Sequence, residues 1–298
     1  MIKNSKKNNN INNEMDMTTT SSADQMEMET VMISPDMIPD EYKSENAELD
    51  MLIGISSVIG TRQYQQDSVF ADKYGSMSIG IVCDGMGGMS SGDKASETAI
   101  RLLAGDFYKL KENDDLAGFL REEAQKMDEA VSEIDADNDL GSGTTVVAAI
   151  VKNGKMYWMS VGDSRIYVIR NNEIIQLTRD HNLKLKLDAE LEAGDITMSE
   201  YERDMEQGEA LISYLGIGNT PIIDVSQQGV DLLENDIIIL CSDGLYKRLS
   251  DADIFNTVML EEPDMKRAAK RLTDVVMMRT ERSQDNTSVV VMQYNRYK

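Results

Sequence analysis

Histidine is almost absent from this sequence, which has a single copy, His181, in 298 residues. A zinc site built from several histidines is therefore excluded. Cysteine is nearly as scarce, with only Cys83 and Cys241, each at the end of an apolar run. Two such positions form no paired framework, so we predict two buried thiols and a reducing, cytoplasmic compartment.

Long hydrophobic runs are also missing from the sequence. No run approaches the roughly 20 apolar residues that a membrane-spanning helix needs. The N-terminal stretch lacks the basic-then-apolar order of a secretory signal. Both absences predict a cytoplasmic protein that does not associate with a membrane.

Positive charge is in short supply, because 30 Lys and Arg stand against 53 Asp and Glu, a formal net charge of −23. Such a chain repels the nucleic-acid backbone and anionic lipid, so we expect neither partner. The acidity has two possible explanations, solubility or carboxylates that converge on cations. Composition does not separate them.

The first 48 residues differ in composition from the rest of the chain. They are rich in Asn, Ser, Thr, Glu and Met and show little periodicity. Because such a stretch buries too little apolar area to offset its ordering entropy, residues 1–48 are predicted to be a disordered acidic tail. A regulatory role and a plain solvated extension both remain open. Residues 49–298 are predicted to form one folded domain.

Within that domain, runs of β-branched and aromatic residues alternate with pairs of amphipathic segments. Strands are predicted at 51–58, 78–83, 145–152, 155–161, 164–170, 236–241 and 287–294. Helices are predicted at about 91–110, 115–134, 251–260 and 264–281, with two shorter ones inside a charged insertion at 180–217. Asn153-Gly154 and Asn171-Asn172 supply hairpin turns. This order favours an α+β fold of antiparallel sheets covered by helices over a parallel βαβ sheet.

Four aspartates lie at the edges of predicted strands: Asp84, Asp163, Asp243 and Asp285. A glycine directly follows both Asp84 and Asp243, where it permits a sharp turn. If these strands end on one side, their carboxylates converge and require cations to stay ionised. Hard oxygen ligands suit Mg²⁺ or Mn²⁺ better than zinc or copper. The alternative is that each Asp-Gly pair is only a turn.

Seven short motifs around these positions resemble, in the same order, those of the bacterial-type protein phosphatase 2C family. They are Gly60-Thr61-Arg62 to Gln66-Asp67, Asp84-Gly85-Met86-Gly87-Gly88, Gly141-Ser142-Gly143-Thr144-Thr145, Val161-Gly162-Asp163-Ser164-Arg165, Leu177-Thr178-Arg179-Asp180-His181, Ser242-Asp243-Gly244-Leu245 and Asp285-Asn286. Each motif is weak alone, but the ordered set covers about residues 49–294 and is specific.

The resemblance implies a metal-dependent protein serine/threonine phosphatase, with residues 49–298 as its catalytic domain. The implied fold is an α-β-β-α sandwich of two antiparallel sheets flanked by helices. The implied substrates are phosphorylated proteins, the targets of a cognate serine/threonine kinase. Most members of the family are monomers, so a monomer is expected.

The resemblance also implies residue roles around two tightly held Mn²⁺ or Mg²⁺ ions. Asp84 would bridge both ions, and the Gly85 carbonyl would help to hold the first. Asp243 and Asp285 would hold the second ion, while Asp67 would hold water in the outer shell. A metal-bridging hydroxide would then attack phosphorus, which makes Asp84 and Asp67 catalytic residues.

Two further roles follow from the resemblance. Arg62 would bind the substrate phosphate and support catalysis, since its guanidinium forms a planar fork. Asp163 matches a position that helps to bind a third, weaker cation.

Some positions depart from the family pattern. Gln65 stands where Asn is common, and Gln66 stands where many members have an acidic residue. Met86 replaces the histidine of many eukaryotic members, as is common in bacterial ones. The 180–217 segment corresponds to the family's flap in position but not in residues.

Several alternatives stay open at the level of sequence. His181 is a general acid or, as we favour, a structural hydrogen-bonding residue. Ser142, Thr144 and Thr145 form a phosphate cradle or, as we favour, a tight turn near the site. Besides an active phosphatase, the alternatives are an inactive relative that acts as a scaffold and a phosphatase dedicated to one regulatory protein. The three aspartates Asp84, Asp243 and Asp285 favour activity.

Overall fold

The computed structural model describes residues 51–87, 91–134, 141–280 and 282–295. The tail predicted at 1–48 lies outside the described residues. In chain order the strands are β1 (Met51–Val58), β2 (Asp67–Tyr74), β3 (Met77–Met86), β4 (Gly143–Thr144), β5 (Val146–Lys152), β6 (Lys155–Val161), β7 (Arg165–Arg170), β8 (Glu173–Gln176), β9 (Asp224–Val225), β10 (Val230–Asp231), β11 (Ile237–Cys241) and β12 (Thr287–Tyr294). The helices are α1 (Ser91–Phe107), α2 (Leu116–Ser132), α3 (Leu183–Ala193), α4 (Met198–Asp204), α5 (Asp243–Tyr246), α6 (Asp251–Met259) and α7 (Met265–Met278).

The strands form two sheets, and all of the strand pairings described are antiparallel. One sheet has the order β10-β6-β5-β3-β2, with β4 added to β3 and β9 to β6. The other has the order β1-β12-β11-β7-β8. Residues of the candidate site lie at the ends of strands from both sheets, including the edge strand β2 and its neighbour β3.

The two sheets pack face to face, and helices cover both outer faces. Val290 and Met292 of β12 belong to the core between the sheets, while Val289 and Val291 pack against α6 and α7. This alternation is the two-residue period of a strand buried on both faces. Helices α1 and α2 cover the other sheet in the same way. The predicted α-β-β-α sandwich is confirmed.

Local signals in the sequence define several boundaries correctly. Asn153 and Gly154 have φ values of 52° and 72°, and Asn171 and Asn172 have 53° and 63°, as hairpin turns with two left-handed residues require. In the charged insertion, α3 ends at Gly194 with φ 78°. Helix α4 begins at a capping box formed by Thr197 and Glu200.

Strand β2 was not among the predicted elements. Its sequence, Asp-Ser-Val-Phe-Ala-Asp-Lys-Tyr, is polar at both ends, and only its first half is buried. It forms at the edge of its sheet by pairing along β3, a contact that a local pattern does not reveal. None of the helices in the described ranges is long and apolar enough to cross a membrane.

Candidate active site

Strand ends from both sheets meet at one end of the sandwich and bring four aspartates there. Asp67 opens β2 and stands opposite Asp84 of β3 in the antiparallel register. Asp243 follows the end of β11, and Asp285 precedes the start of β12, its antiparallel neighbour. The Ser242 hydroxyl donates to Asp67 Oδ2 at 2.7 Å, which joins the two sheets at this end.

The clustered carboxylates strongly affect one another's protonation. Burial raises the pKa of Asp84 well above its ordinary value, and the charges of Asp67, Asp243, Asp163 and Asp285 raise it further. Burial raises the pKa of Asp67 to about 7 against the opposing hydrogen bond from Ser242. The structure thus places the other four predicted aspartates within electrostatic reach of Asp84.

Two cationic side chains partly neutralise this acidic cluster. Arg62 Nη2 lies 2.5 Å from Asp285 Oδ2. Lys247 Nζ lies 2.6 Å from Asp243 Oδ2 and 3.9 Å from Asp163 Oδ2. Lys247 was not predicted as a site residue, although its position four residues after Asp243 on a helical turn is a pattern that favours an ion pair.

As arranged, no three Asp, Glu, His or Cys side chains of the described ranges are grouped so as to hold a metal ion. Asp285 is paired with Arg62, and Asp243 is paired with Lys247. Two buried carboxylate oxygens, Asp67 Oδ1 and Asp243 Oδ1, nevertheless have no hydrogen-bond partner in the part of the chain that the structure describes. Unpartnered, buried, anionic oxygens are the chemistry that a hard divalent cation satisfies, so the residues present fit such an ion.

Threonine hydroxyls fix the backbone that carries Asp84. The Asp84 N–H donates to Thr145 Oγ1 at 3.0 Å, and Thr144 Oγ1 donates to the Asp84 carbonyl at 3.0 Å. Thr145 Oγ1 is also within 2.7 Å of Ser164 Oγ. These hydroxyls are therefore engaged with protein groups, which agrees with the favoured tight turn. Ser142 Oγ is buried without a partner among the described residues.

Gly85 lies where backbone segments approach too closely for a side chain. A Cβ at this position would lie 2.1 Å from the Gly92 carbonyl oxygen and 2.5 Å from that of Gln66. The Gly85 N–H donates to the same Gln66 carbonyl at 3.1 Å. Glycine here lets the first turn of α1 press against β3 directly beside Asp84.

Asn286 fixes the loop that carries Arg62, a role not predicted from the sequence. Its side-chain amide donates to the carbonyls of Ile59 and Tyr64 at 2.8 and 3.1 Å. Its Oδ1 accepts from the Gln66 N–H at 2.8 Å. Asn286, the residue after Asp285, thus holds the backbone on both sides of Arg62.

The two glutamines that depart from the family pattern both make local hydrogen bonds. Gln65 donates to Ser57 Oγ at 2.9 Å and accepts from the Asp67 N–H at 3.2 Å. Gln66 Nε2 donates to the Gly87 carbonyl at 3.3 Å. Both side chains therefore support the backbone around Asp67 and Asp84.

Asp163 lies at the tight turn between β6 and β7, after Gly162 with φ 101°. Its backbone carbonyl accepts from the Tyr246 hydroxyl at 3.0 Å. Burial raises the pKa of its carboxyl to about 6, and the Asp243 charge adds to this. Arg165 stacks on the Tyr246 ring, and its Nε and Nη2 donate to the two carboxylate oxygens of Asp180. These contacts fix this side of the site.

His181 has a structural place in the fold. It is fully buried, its Nδ1 accepts from the Gly162 N–H at 3.1 Å, and its Nε2 lies 3.1 Å from Asp224 Oδ2. Burial lowers the pKa of the imidazole, despite the carboxylate of Asp224. A neutral ring with Nε2–H donating to Asp224 satisfies both contacts, as the favoured structural interpretation requires.

An open cleft of about 450 Å³ lies directly beside Asp285. Three of its lining side chains are cations, namely Arg62, Lys247 and Arg248. The remaining lining comes largely from Thr61, Gly244 and the 283–285 segment.

Comparisons with known proteins agree with this architecture. A sequence model described as Protein phosphatase 2C matches residues 55–190. The serine/threonine phosphatase Stp of Listeria welshimeri is 32% identical over 247 residues, which span 78% of this chain and 92% of that protein. The S. agalactiae serine/threonine phosphatase structure superimposes with a TM-score of 0.70 at 26% identity, covering 83% of this chain and 100% of that one.

A second solved structure is the catalytic domain of the protein phosphatase PstP in complex with two manganese ions. It superimposes with a TM-score of 0.66 at 26% identity over 83% of this chain and 99% of that one. A PstP of Mycobacterium tuberculosis is 28% identical over 239 residues, covering 77% of this chain and 42% of that protein. The chain belongs to the protein phosphatase 2C family and is a protein serine/threonine phosphatase.

Proposed function

We propose that this chain hydrolyses phosphoserine and phosphothreonine on proteins with two divalent cations, Mn²⁺ or Mg²⁺. The observation that carries the proposal is the meeting of strand ends from both sheets at one acidic cluster with two unpartnered carboxylate oxygens. The manganese complex of a structural relative supports the same metal class.

We assign the ligands from the family resemblance. Asp84 would contribute to holding both ions, the Gly85 carbonyl would help to hold one of them, and Asp243 and Asp285 would hold the other. Asp67, fixed by Ser242, orients water in the outer shell. Bound divalent cations supply positive charge for the phosphoryl oxygens and lower the pKa of water.

Arg62 binds the phosphate of the substrate. Its side chain is 59% exposed and carries a planar donor fork, and its partner Asp285 would exchange the guanidinium for a cation when metal binds. The released guanidinium then stabilises charge on the equatorial oxygens. Its position depends on the Asn286 contacts to the 59–66 loop.

Asp163 is the candidate for a third, weaker cation site shared with Asp243. Fewer protein ligands should make this ion more exchangeable than the other two. The ammonium of Lys247 now stands between these two carboxylates, so it competes with a third ion. Asp163, Asp243 and Lys247 therefore form a unit whose charge balance sets third-site occupancy.

The same proposal includes the source of the substrates, the oligomeric state, the cellular compartment and the domain bounds. We take the targets of a cognate serine/threonine kinase as substrates and a monomer in the cytoplasm as the working form. Residues 49–298 act as the catalytic domain, with 1–48 as an appended tail.

The test is phosphate release from matched phosphoserine, phosphothreonine and phosphotyrosine peptides with Mn²⁺, Mg²⁺ or chelator. We expect release from the first two peptides only with metal, and near-complete loss of turnover in Asp84→Asn and Asp243→Asn. The exposed Asp274→Asn on α7 is the matched control and should behave like the wild type. Full turnover after dialysis into excess chelator would refute metal-assisted hydrolysis, and no release with any metal would favour a scaffold.

A further inference from the structure

The cleft beside Asp285 has an unusual charge for this protein. We call it the cationic cleft and define it by Arg62, Lys247 and Arg248 together with Thr61, Ser283 and Asp285. Three of the eight residues that line it are basic and one is acidic, in a chain whose formal net charge is −23. A cation without a carboxylate partner beside a reaction site can raise the local concentration of anionic ligands there.

The three cations of the cleft are not equivalent. Arg62 and Lys247 are each paired with an aspartate of the candidate active site. Arg248, within the described ranges, pairs with no carboxylate. Its Nε donates to Gln284 Oε1 at 3.0 Å, and its Nη2 donates to the Ser283 carbonyl at 2.7 Å. Its partners among the described residues are thus neutral acceptors.

The partners of Arg248 are themselves fixed in place. Gln284 is buried, and its amide donates to the Gly244 carbonyl at 2.8 Å and to Thr287 Oγ1 at 2.9 Å. The Gln284 backbone also exchanges hydrogen bonds with Thr61, the neighbour of Arg62. The guanidinium is therefore pre-oriented at the cleft wall, with donors left over for a ligand.

We propose that Arg248 binds a carboxylate side chain of the substrate, an Asp or Glu close to the phosphorylated residue. This rests on the proposed function, in which Arg62 takes the phosphate at the same cleft. A volume of about 450 Å³ falls in the range of about 300–1,000 Å³ typical of ligand pockets. A cube of this volume would have an edge of about 8 Å, the length of about two residues of an extended peptide. Acidic phosphopeptides are therefore the preferred substrate class.

The experiment measures kcat/KM of the full chain with Mn²⁺ on a series of phosphothreonine peptides. Each peptide carries a single Glu at a different position, from three residues before to three residues after the phosphothreonine. Each Glu peptide is compared with its Gln counterpart, so that only charge changes. We expect one position to give a Glu-to-Gln ratio of about two to five, as a partly exposed ion pair allows. The ratio should fall toward one at high salt, because exposed charge pairs are screened.

Variants then assign the preference to Arg248. Arg248→Gln should bring the ratio close to one, while Arg248→Lys, which keeps the charge, should retain most of it. Arg267→Gln, an exposed arginine of α7 paired with Glu261, is the matched control and should leave the ratio unchanged. Thermal unfolding of each variant checks the fold, and the salt series on the wild type tests the proposal without any variant.

The outcomes separate this inference from the function on which it rests. Absence of metal-dependent hydrolysis for all peptides would overturn the proposed function. Hydrolysis with Glu-to-Gln ratios near one at every position would overturn only the acidic subsite. An equal loss on Glu and Gln peptides in Arg248→Gln would place Arg248 at the phosphate and also overturn it.

Discussion

Replacing Lys247 with methionine should tighten the binding of a third Mn²⁺. The ammonium lies 2.6 Å from Asp243 Oδ2 and 3.9 Å from both Asp163 Oδ2 and Glu209 Oε2, so it occupies the space between these carboxylates. Methionine keeps much of the length of the side chain and removes its charge. Asp163 and Asp243 would then face each other without a protein cation.

The size of the effect follows from two contributions. A divalent ion about 4 Å from a unit charge is repelled by about 2 kcal/mol in bulk water, twice the value for two unit charges. Lys247 is 44% exposed, so the bulk-water value is the suitable one, and its ammonium swings partly away when the ion binds. Breaking such an exposed pair adds about 0.2–1 kcal/mol. These contributions add to about 2–3 kcal/mol if the ammonium stays in place, and because the side chain can move away from the ion we expect about half of this, about 1.4 kcal/mol or about tenfold in Kd.

Calorimetric titration of Mn²⁺ into the full chain, after the two tight sites are saturated, measures this directly. Lys184→Met is the matched control, because Lys184 forms an equivalent pair with Asp188 at 2.6 Å, four residues apart, on α3. Equal third-site Kd values in the wild type, Lys247→Met and Lys184→Met would show that Lys247 does not compete. Two bound ions in every variant would refute the third site itself.

Three further predictions follow from the site and its supports. Asp163→Ala should keep two tight Mn²⁺ ions by calorimetry but lose most turnover on phosphopeptides; unchanged kinetics would return Asp163 to a turn role. Asn286→Ala should lower the free energy of unfolding by about 2–4 kcal/mol in urea, since three hydrogen bonds to the 59–66 loop are lost; a change below 0.5 kcal/mol would contradict the assigned role. Burial lowers the pKa of His181 below its ordinary 6.5. The unfolded chain therefore takes up the proton first, so stability should fall as the pH drops through about 6.5 toward 5. The groups around the ring are Asp224, Arg179 and Asp180, and urea titrations at several pH values should show a weaker acid loss in His181→Asn than in the wild type.

Strong local periodicity allowed much of the fold to be predicted. The bounds of β6 and β12 agree with the sequence pattern, because each is a run of β-branched, aromatic or Met residues next to a clear turn or loop. Strand β2 was missed since its charged residues break the pattern and its pairing with β3 supplies the stabilisation. The two-residue strands β4, β9 and β10 depend likewise on partners far away in the chain.

The candidate site was predicted less completely than the fold. Motifs identified the aspartates because each lies next to a glycine or a strand boundary, where the sequence carries information. Lys247 and Asn286 were missed as site residues because their importance lies in distant contacts: Asp163 is 84 positions away from Lys247, and the 59–66 loop lies more than 200 positions from Asn286. The role of Arg248 was missed for the same reason, because its partners Ser283 and Gln284 lie 35 and 36 residues further along the chain.

The hydrogen bond from Ser242 to Asp67 has a mechanical consequence. Asp67 and Asp84 belong to one sheet, and Asp243 and Asp285 flank strands of the other. At this end of the sandwich the two sheets present carboxylates of like charge to each other, which repel. The Ser242 hydrogen bond links the sheets against that repulsion. Any cation bound between them would contact carboxylates of both sheets and hold the sheets together. Binding and release of such a cation would therefore change the forces on β3 and β12, two interior strands of the sheets, and not on a surface loop alone.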